Sequence, residues 1–412
     1  MAEPEMKVEI ISRETIKPSS PTPPHLKSHV LSSLDLIAPA VYGRVVYFYT
    51  AQSDDTSAAP EQKSQQLKKS LSESLARFYP FAGRIVDDIA VECNDEGAQY
   101  VEAKFNGLLS TFLEQRNNPA LIEPFFPAAI KAPEATTWPI LLVQATFFDC
   151  GGLAVVPVFD SASYFPLGYK FSFEPPASGW EKPLEWVTKM FVFDKQKIAD
   201  LKAKTAGDRV QQPSRVEVVT ALIWKCAMAA SRSDTAGVPK KTFWVTQAMD
   251  IRKRAEPPMP EHLVGNLVTI IPAKTNHDER ELELPDVVAE LRKGLREFNE
   301  SKAKRLRGDG AVQVIFEIVK EVIELLIRED ADGLMVTSLC TFKLYEIADF
   351  GWGKPTWVNI LPLLQGVSKL VALMDTRDGG VEAWVTLSEK EMALFQRDPE
   401  LLEFATQNYS AI

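Results

Sequence analysis

A segment in which the composition shifts to proline, glycine and serine, residues 171–190, divides a chain in which amphipathic helical patterns alternate with apolar strand patterns. Apolar residues recur at helical spacing over 67–78 on its N-terminal side and over 312–326 on its C-terminal side. A helix and a strand each bury one apolar face against another element. The pattern therefore predicts an α/β fold with an N-terminal domain over 1–175 and a C-terminal domain over 190–412, joined by a crossover at 171–190.

Charge and cysteine usage narrow the functional classes. The 412 residues carry a net charge of −10 without a basic block, so we expect no nucleic acid and no anionic membrane surface as partner. No apolar run reaches the length of a membrane span, and the first residues lack a signal-peptide pattern. The four cysteines form no CxxC pair or metal-ligand spacing, which is typical of thiols in a reducing compartment. We therefore expect a cytoplasmic protein without a bound metal.

The four histidines offer no recognisable catalytic or metal site. His25 and His29 have the spacing of a helical metal pair, but they follow the proline-rich "SPTPP" in an extended segment, where that spacing does not converge. His262 and His277 lie in loop-like sequence, which indicates solvated side chains. No histidine has an aspartate four residues later, and the chain contains no GxSxG, P-loop or GxGxxG motif.

The string "DFGWGKP" at 349–355 predicts a tight loop. A kinase would also need a glycine-rich loop, a Val-Ala-Ile-Lys strand and an HRD loop, none of which is present. Gly351 and Gly353 can adopt unusual dihedral angles, and Trp352 can pack between them.

Eight strings, in order along nearly the whole chain, resemble the BAHD acyltransferase family of plants in its vinorine-synthase-like branch. They are "KPSSPTP" (17–23), "LKKSLSESLARFYPFAGRI" (67–85), "ECNDEGAQYVEA" (92–103), "FFDCGGLAV" (147–155), "SRVEVVTALIWKC" (214–226), "VTQAMDIRKRAEPPMPEHLVGNLV" (245–268), "DFGWGKP" (349–355) and "LMDTRDGGVEAWVTL" (373–387). The resemblance implies two similar mixed α/β domains of the chloramphenicol acetyltransferase type, with a channel between them, in a monomer.

The resemblance also implies an activity, the transfer of an acyl group from coenzyme A to an alcohol or amine. Acetyl-CoA as co-substrate and a hydroxyl of an alkaloid or terpenoid as acceptor are the first expectations. In the family, the histidine of an HxxxD motif acts as general base on the acceptor. The loop with Asp349, Gly351, Trp352 and Gly353 has a structural role, and its aspartate would pair with Arg252.

The C-terminal half supplies most of the family's contacts to coenzyme A. By that resemblance, the expected coenzyme A-binding residues are Ser214, Gly265 and Asn266. A helix start offers free N–H groups to phosphate, and glycine allows close approach of the backbone. The alternative is that Ser214 is only a helix N-cap and Gly265 only a turn residue.

The family's HxxxD motif is missing from "GGLAVVPVFDSASYFP", residues 151–166, where the order of the strings places it. A short gap would make Asp160 the motif aspartate and lose only the histidine. A long gap of roughly 30 residues between Val155 and Pro157 would remove the strand end, the motif and the following helix together. Pro166 and the later prolines cannot hold the helix that a motif aspartate opens, which favours the long gap. We therefore predict a strand ending at about Val155, a linker role for Asp160 and no catalytic residue.

Three explanations remain open: a mis-spliced version of an active acyltransferase, a non-catalytic homologue, or new chemistry without acyl-CoA. In each of the first two, the chain itself is expected to lack acyl transfer or to be severely impaired. Losing a whole helix would also remove several buried contacts, each worth about 2–5 kcal/mol.

Overall fold

The computed structural model describes a large part of the chain in several segments. These are residues 7–32, 35, 41–51, 60–87, 89–116, 118–127, 139–161, 186–233, 240–255, 258–260, 263, 265–276, 282–306, 311–360 and 369–407. All statements about structure below concern these residues. Most of the predicted crossover 171–190 lies outside them.

The chain divides into two compact units. The first comprises Met1–Phe173 with Leu344–Leu363, and the second comprises Glu174–Lys343 with Leu364–Ile412. The first break falls within the predicted crossover. The sequence placed all of 190–412 in one domain, whereas 344–363 belongs to the first unit, because a short strand in it pairs within that unit's sheet.

The strands, in chain order, are β1 Val8–Ile16, β2 Ser28–Val30, β3 Val41–Arg44, β4 Val46–Tyr49, β5 Arg84–Val86, β6 Ala90–Glu92, β7 Ala98–Phe105, β8 Leu141–Phe148, β9 Leu153–Ser161, β10 Trp186–Phe193, β11 Thr242–Asp250, β12 Val268–Asn276, β13 Ala331–Ser338, β14 Trp357–Asn359, β15 Leu370–Asp375, β16 Val381–Ser388 and β17 Thr406–Gln407. The helices are α1 Pro60–Arg77, α2 Leu109–Glu114, α3 Pro119–Ile122, α4 Lys195–Thr205, α5 Arg215–Ser233, α6 Leu284–Ser301, α7 Ala311–Leu326, α8 Leu344–Ile347, α9 Glu389–Phe395 and α10 Pro399–Phe404. Short 3-10 turns cover Pro24–Leu26, Tyr79–Ala82, Glu123–Phe125 and Ala303–Arg305.

The first unit is built on a mixed sheet with the order β1-β7-β8-β9-β4-β14. Strand β3 also pairs with β9, along the residues that follow those paired with β4. Strands β7 and β8 run parallel, while the other neighbours are antiparallel. A smaller sheet has the order β2-β6-β5. An aromatic cluster on one face of the large sheet forms the core there. The ring centroid of Phe48 lies 5.0 Å from that of Phe112 and 5.3 Å from that of Trp357.

The strands β6 and β7 flank the Asn-Asp-Glu-Gly sequence at 94–97 but do not pair with each other. Strand β6 joins the small sheet and β7 the large one. Asp95, at φ 61°, turns the chain between them, and its carboxylate accepts hydrogen bonds from the backbone N and Oγ1 of Thr22 and from Nζ of Lys27. These bonds fasten the turn to the proline-rich N-terminal segment, so the strands diverge instead of forming a hairpin.

The second unit contains a mixed sheet with the order β12-β11-β13-β15-β16-β10-β17. Strand β13 runs parallel to both of its neighbours, β11 and β15. The remaining pairs are antiparallel. Helix α5 lies in the core of this unit and is buried along most of its length, including Trp224 at 2% exposure. The helix start expected at Ser214 is thus confirmed.

Candidate functional site

Strand β9 crosses the point at which the family's catalytic motif is expected. It does not end at Val155, as the sequence predicted, but continues as paired strand to Ser161. Asp160 lies opposite Tyr42 of β3 and is a strand residue at this position, not part of a linker. The strand continues because its residues Val158–Ser161 pair with β3, which lies far upstream in the sequence. The paired, extended backbone at Asp160 also differs from the helix start that the short gap requires.

Pro157 explains how the partner of β9 is divided. The pairing of Arg44 with Val158 places Val45 opposite Pro157, and Val45 is the residue between β3 and β4. Proline has no N–H to donate to a neighbouring strand. The interruption between β3 and β4 therefore coincides with the residue that cannot complete the ladder.

The two described histidines are not placed as catalytic bases of an HxxxD motif. His25 lies in the 3-10 turn Pro24–Leu26 and is exposed, which corrects the extended segment predicted there. His29 lies in β2, opposite Val91, and is partly exposed. His262 and His277 fall outside the described residues. Within the described segments, no cluster of three or more His, Cys, Asp or Glu is positioned to hold a metal ion.

Ser214 is the N-cap residue of helix α5 and exchanges two hydrogen bonds with Glu217. Its Oγ accepts a hydrogen bond from the backbone N–H of Glu217 at 3.2 Å, and its own backbone N–H donates to Glu217 Oε2 at 2.7 Å. This is the arrangement of a capping box, which satisfies two N–H groups at a helix start. The contacts of Ser214 are therefore those of a helix N-cap, which was the alternative to a coenzyme A-binding role.

Arg292 of α6 binds the same carboxylate. Its Nε lies 2.7 Å from Glu217 Oε1, and its guanidinium also donates to the carbonyl oxygens of Gln211 and Gln212. Burial acts to raise the pKa of Glu217, but the hydrogen bonds from Arg292 and Ser214 outweigh it and hold the pKa below its ordinary value of 4.5. A carboxylate therefore already occupies the start of α5.

Gly265 and Asn266 lie between β11 and β12, in a loop held by Arg252. The Arg252 guanidinium donates to the carbonyl oxygens of Leu263 and Gly265, and it also binds Asp250 Oδ1 at 3.1 Å. Gly265 has φ 140°, which side-chain-bearing residues rarely adopt. Arg252 therefore fixes the conformation of the loop that carries two of the predicted coenzyme A-binding residues.

The "DFGWG" loop lies in the first unit, between α8 and β14. The Asp349 carboxylate accepts hydrogen bonds from the backbone N–H groups of Gly351 at 2.9 Å and Gly353 at 3.1 Å. The two glycines have φ 100° and 93°, so the predicted use of unusual dihedral angles is observed. Asp349 and Arg252 belong to different units, and the pairing between them stays a prediction.

The same loop is anchored to α1 and β4. The hydroxyl of Tyr49, a buried residue, donates to the Ala348 carbonyl at 2.8 Å, and Gln66 Nε2 donates to the Phe350 carbonyl at 2.5 Å. The Trp352 ring packs edge-on against Tyr49, with ring centroids 6.2 Å apart. These contacts attach a segment from the C-terminal half of the chain to the first unit.

Sequence reasoning missed several residues that the structure singles out. The three-residue spacing of Ser214 and Glu217 is that of a capping box, so the sequence could have revealed their pairing. The contact of Arg292 with Glu217 could not be predicted, because Arg292 lies in another helix. Asn359 is fully buried in β14. In the sequence, Asn359 could have been noticed as the single polar residue within the apolar string "WVNIL".

None of the helices in the described segments is both long enough and apolar enough to cross a bilayer. The cysteines at 93, 226 and 340 are buried, Cys150 is exposed, and all four are free thiols.

Comparison with known proteins identifies the family. The sequence model of the Transferase family matches residues 6–162 and 171–402. The chain is 34% identical to the epi-neemfruitin B 7-O-acetyltransferase of Melia azedarach, over 98% of this chain and 100% of that protein. That alignment extends over 455 positions, more than the 412 residues of this chain, so the relative contains segments that this chain lacks.

Solved structures agree with this assignment. The crystal structure of vinorine synthase matches with a TM-score of 0.77 at 31% identity, covering 97% of this chain and 99% of that one. The structure of Fusarium graminearum TRI101 complexed with coenzyme A and T-2 mycotoxin shares the fold, with a TM-score of 0.68 at 14% identity over 93% of this chain and 100% of that one. The chain has the two-domain mixed α/β fold of these proteins and belongs to the Transferase family, the BAHD acyltransferases of plants.

Proposed function

We propose that this chain is a BAHD acyltransferase whose catalytic block is missing between Val155 and Pro157. The family transfers acyl groups from acyl-CoA to small plant metabolites, including alkaloids and terpenoids. For the complete enzyme we infer acetyl-CoA as donor and a hydroxyl or amine of such a metabolite as acceptor. The relative from Melia azedarach, named as an O-acetyltransferase, supports the acetyl group and the hydroxyl.

The reaction requires a base that this chain does not supply in the expected place. The acceptor oxygen bonds to the thioester carbonyl carbon, the carbon–sulfur bond breaks, and the hydroxyl proton ends on the departing thiolate. In the family, the motif histidine carries that proton. Loss of a general base costs about 10²–10⁴-fold in rate. We therefore infer that the chain as it stands has no normal acyl-transfer activity.

The observation that carries this proposal is the family match combined with the uninterrupted strand β9. The strand runs through Val155, Val156 and Pro157 without a break, and no HxxxD string follows it in the sequence. The longer alignment with the Melia azedarach relative supports the absence of one or more segments from this chain. A non-catalytic homologue is the second candidate, since the strand without the motif is well paired on both sides.

Two experiments separate these candidates. The genomic sequence between the codons for Val155 and Pro157 either encodes an in-frame HxxxD segment, as expected for a mis-spliced enzyme, or does not. A restored chain, with the corresponding segment of the Melia azedarach relative inserted there, is then assayed with acetyl-CoA and a panel of alcohols for release of coenzyme A thiol. We expect turnover by the restored chain and none by the 412-residue chain. The restored chain with its inserted histidine changed to alanine is the control, and normal turnover by the 412-residue chain would refute the proposal.

We further infer that the second unit binds coenzyme A weakly through Gly265 and Asn266. The loop is held in place by Arg252 before any ligand arrives, and its glycine lets the backbone approach a ligand. Ser214 remains a candidate only if phosphate displaces the Glu217 carboxylate from the helix start.

Calorimetric titration of the folded chain with coenzyme A tests this binding. We expect a dissociation constant in the high micromolar to millimolar range, weakened in an Asn266→Ala variant and unchanged in Ser214→Ala. No heat at millimolar ligand would overturn the inference, and an equal loss in both variants would restore the role of Ser214. We also infer a cytoplasmic monomer, which size-exclusion chromatography with light scattering checks for the oligomeric state.

A further inference from the structure

The bend between β7 and α2 contains Asn106 followed by Gly107, the only asparagine–glycine pair among the 412 residues. Asn106 is exposed, and neither residue belongs to a strand or a helix. Every other asparagine in the sequence is followed by a residue that carries a side chain. Glycine has no Cβ to shield its backbone nitrogen, and it reaches backbone angles that other residues avoid. The Asn106 amide and the Gly107 nitrogen are therefore two groups that can meet.

Asn106 fastens the start of β1 to this bend. The Lys7 backbone N–H donates to Asn106 Oδ1 at 2.5 Å, and the Asn106 N–H donates to the Lys7 carbonyl at 3.2 Å. These bonds continue the β1–β7 ladder beyond its first pair, Val8 with Phe105. An N–H directed at a carbonyl oxygen stabilises the negative charge that develops there when the carbonyl carbon is attacked. The bond from Lys7 therefore both holds the side-chain amide of Asn106 and activates its carbon Cγ.

The Gly107 N–H has a partner that the reaction must release. It donates to the Phe105 carbonyl at 3.0 Å and closes a three-residue turn around Asn106. This bond lies outside β7 and α2, in a connecting segment, and such segments open locally more readily than strands or helices do. The Gly107 nitrogen is therefore freed by a local opening of the turn, without unfolding of the sheet.

We propose that Asn106 is a site of spontaneous deamidation, in which the backbone nitrogen of Gly107 attacks the side-chain carbon Cγ. The nitrogen loses its proton and bonds to Cγ, the Cγ–Nδ2 bond breaks, and Nδ2 takes up the proton and leaves as ammonia. Water then opens the resulting succinimide ring, adding a hydroxyl to one ring carbonyl and a proton to the nitrogen. Attack of water at Cγ gives aspartate, and attack at the main-chain carbonyl gives isoaspartate. The reaction uses only water, so it is independent of acyl transfer.

Isoaspartate changes the link between β1 and the bend. In asparagine, Oδ1 lies on a side branch, while the main chain continues separately to Gly107, whose carbonyl accepts from the Asp149 N–H at 3.2 Å. In isoaspartate, the former side branch is the main chain, which gains a methylene group. The contacts with Lys7 and Asp149 then depend on the same branch and cannot both keep their present geometry. We therefore expect isoaspartate to loosen the start of β1, and aspartate, which leaves the backbone unchanged, to preserve it.

The first test compares the folded chain with the same chain unfolded in urea, both kept in warm, mildly alkaline buffer. Mass spectrometry of proteolytic peptides follows the conversion of each asparagine amide to a carboxyl group, and labelling by protein isoaspartyl methyltransferase measures isoaspartate. We expect Asn106 to convert fastest, at a rate within about tenfold of that in the unfolded chain, because a surface turn opens at little cost. A rate in the folded chain lower than this limit overturns the proposal, since the turn then protects the site, and so does faster conversion of another asparagine.

Gly107→Ala tests the role of the missing side chain. A Cβ on Gly107 would come within 3.0 Å of the Phe105 ring, so the variant requires a small shift of one side chain. We expect conversion of Asn106 to be about 5- to 30-fold slower, because alanine reaches unusual backbone angles only at a cost. Leu108→Ala is the matched control, at a side chain that is 50% exposed, and it should leave the rate unchanged. Equal rates for the Gly107→Ala variant and the unaltered chain would overturn the attack by the Gly107 nitrogen.

Hydrogen exchange tests the consequence for β1. We expect the isoaspartate form to exchange the amides at the start of β1 and the end of β7 faster than the fresh chain, while those of the β10–β16 pair stay unchanged. Asn106→Asp supplies the added charge with a normal backbone and should match the fresh chain. Equal loosening in N106D would refute the role of the lengthened backbone, and unchanged exchange in the isoaspartate form would refute any effect of the modification on β1.

Discussion

The indole of Trp244 lies directly against the α-carbon of Gly333, so that a Cβ on Gly333 would come within 2.0 Å of two ring atoms. The two residues are register partners on the parallel strands β11 and β13. Trp244 is buried, with 3% of its surface exposed. The pairing of β11 with β13 therefore depends on the absence of a side chain at Gly333.

Gly333→Ala should strongly destabilise the protein. Because the Trp244 ring is buried and occupies the position of the added Cβ, the extra methyl group forces a shift that costs about 1–3 kcal/mol or more of the free energy of unfolding. Urea unfolding followed by tryptophan fluorescence measures this loss. The control is Gly207→Ala, since a Cβ there meets nothing within 4 Å. Equal midpoints for the two variants would show that the ring contact is not restrictive.

The capping box of α5 predicts a second effect. Ser214→Ala removes the side-chain acceptor for the Glu217 N–H and should lower the free energy of unfolding by about 1 kcal/mol. Ser233→Ala is the control, because the Ser233 hydroxyl only bonds the Ala229 carbonyl within the same helix. Urea unfolding at neutral pH compares them, and a loss in Ser233→Ala as large as that in Ser214→Ala would contradict a specific cap.

Glu217→Gln should change the pH dependence of stability. The pKa of Glu217 is lowered on folding, so its ionised form contributes stability above its ordinary value of 4.5, and that contribution is lost as the pH falls through the lower folded value. The unaltered protein should therefore exceed the variant in stability at about pH 7 and approach it at about pH 3. Glu290→Gln, in an exposed pair with Lys293, serves as control. A stability difference that does not shrink in acid would argue against the ionised cap.

The local elements were largely predictable, whereas the long-range pairings were not. Helical spacing over 67–78 predicted α1, because periodicity is a local signal. Strand β14 has only three residues, and its partner β4 is far upstream. Nothing local distinguishes such a strand from a loop.

The candidate site shows the same division. The order of family strings located the missing motif, and the glycine requirement in "DFGWG" followed from local chemistry. The extension of β9 to Ser161 depends on pairing with β3, which the proline pattern concealed. Arg252 contacts the loop at Gly265 through a backbone carbonyl oxygen. Because every residue has such an oxygen, the sequence does not indicate which one an arginine will bind.

The anchor of the "DFGWG" loop predicts a difference between two neighbouring tyrosines. Tyr49→Phe removes the hydroxyl that donates to the Ala348 carbonyl and leaves that buried acceptor unpaired, which should cost about 1–3 kcal/mol of the free energy of unfolding. Tyr47→Phe, at a buried tyrosine two residues away on β4, is the matched control. Urea unfolding should show the larger loss for Tyr49→Phe, and equal losses would contradict the anchor.

A largely buried ion cluster in the second unit predicts a large effect of a charge removal. Lys369 Nζ contacts the carboxylates of both Asp332 and Glu391, and the three side chains are 12%, 17% and 9% exposed. The cluster joins the start of β13, the residue before β15 and the first turn of α9, where Ser388 Oγ also donates to Glu391 Oε2 at 2.8 Å. Its members are far apart in sequence, so the cluster fastens three elements that no local signal brings together.

Lys369→Met should lower the free energy of unfolding by about 3–5 kcal/mol, because it leaves two carboxylates in a poorly hydrated site without their cation. The matched control is Lys320→Met, which breaks a pair with Glu324 whose side chains are 78% and 62% exposed. An exposed pair of this kind contributes about 0–1 kcal/mol. Urea unfolding of both variants at neutral pH measures the difference. If Lys369→Met proves no more destabilising than Lys320→Met, water must reach the cluster, and its role in holding the three elements together is refuted.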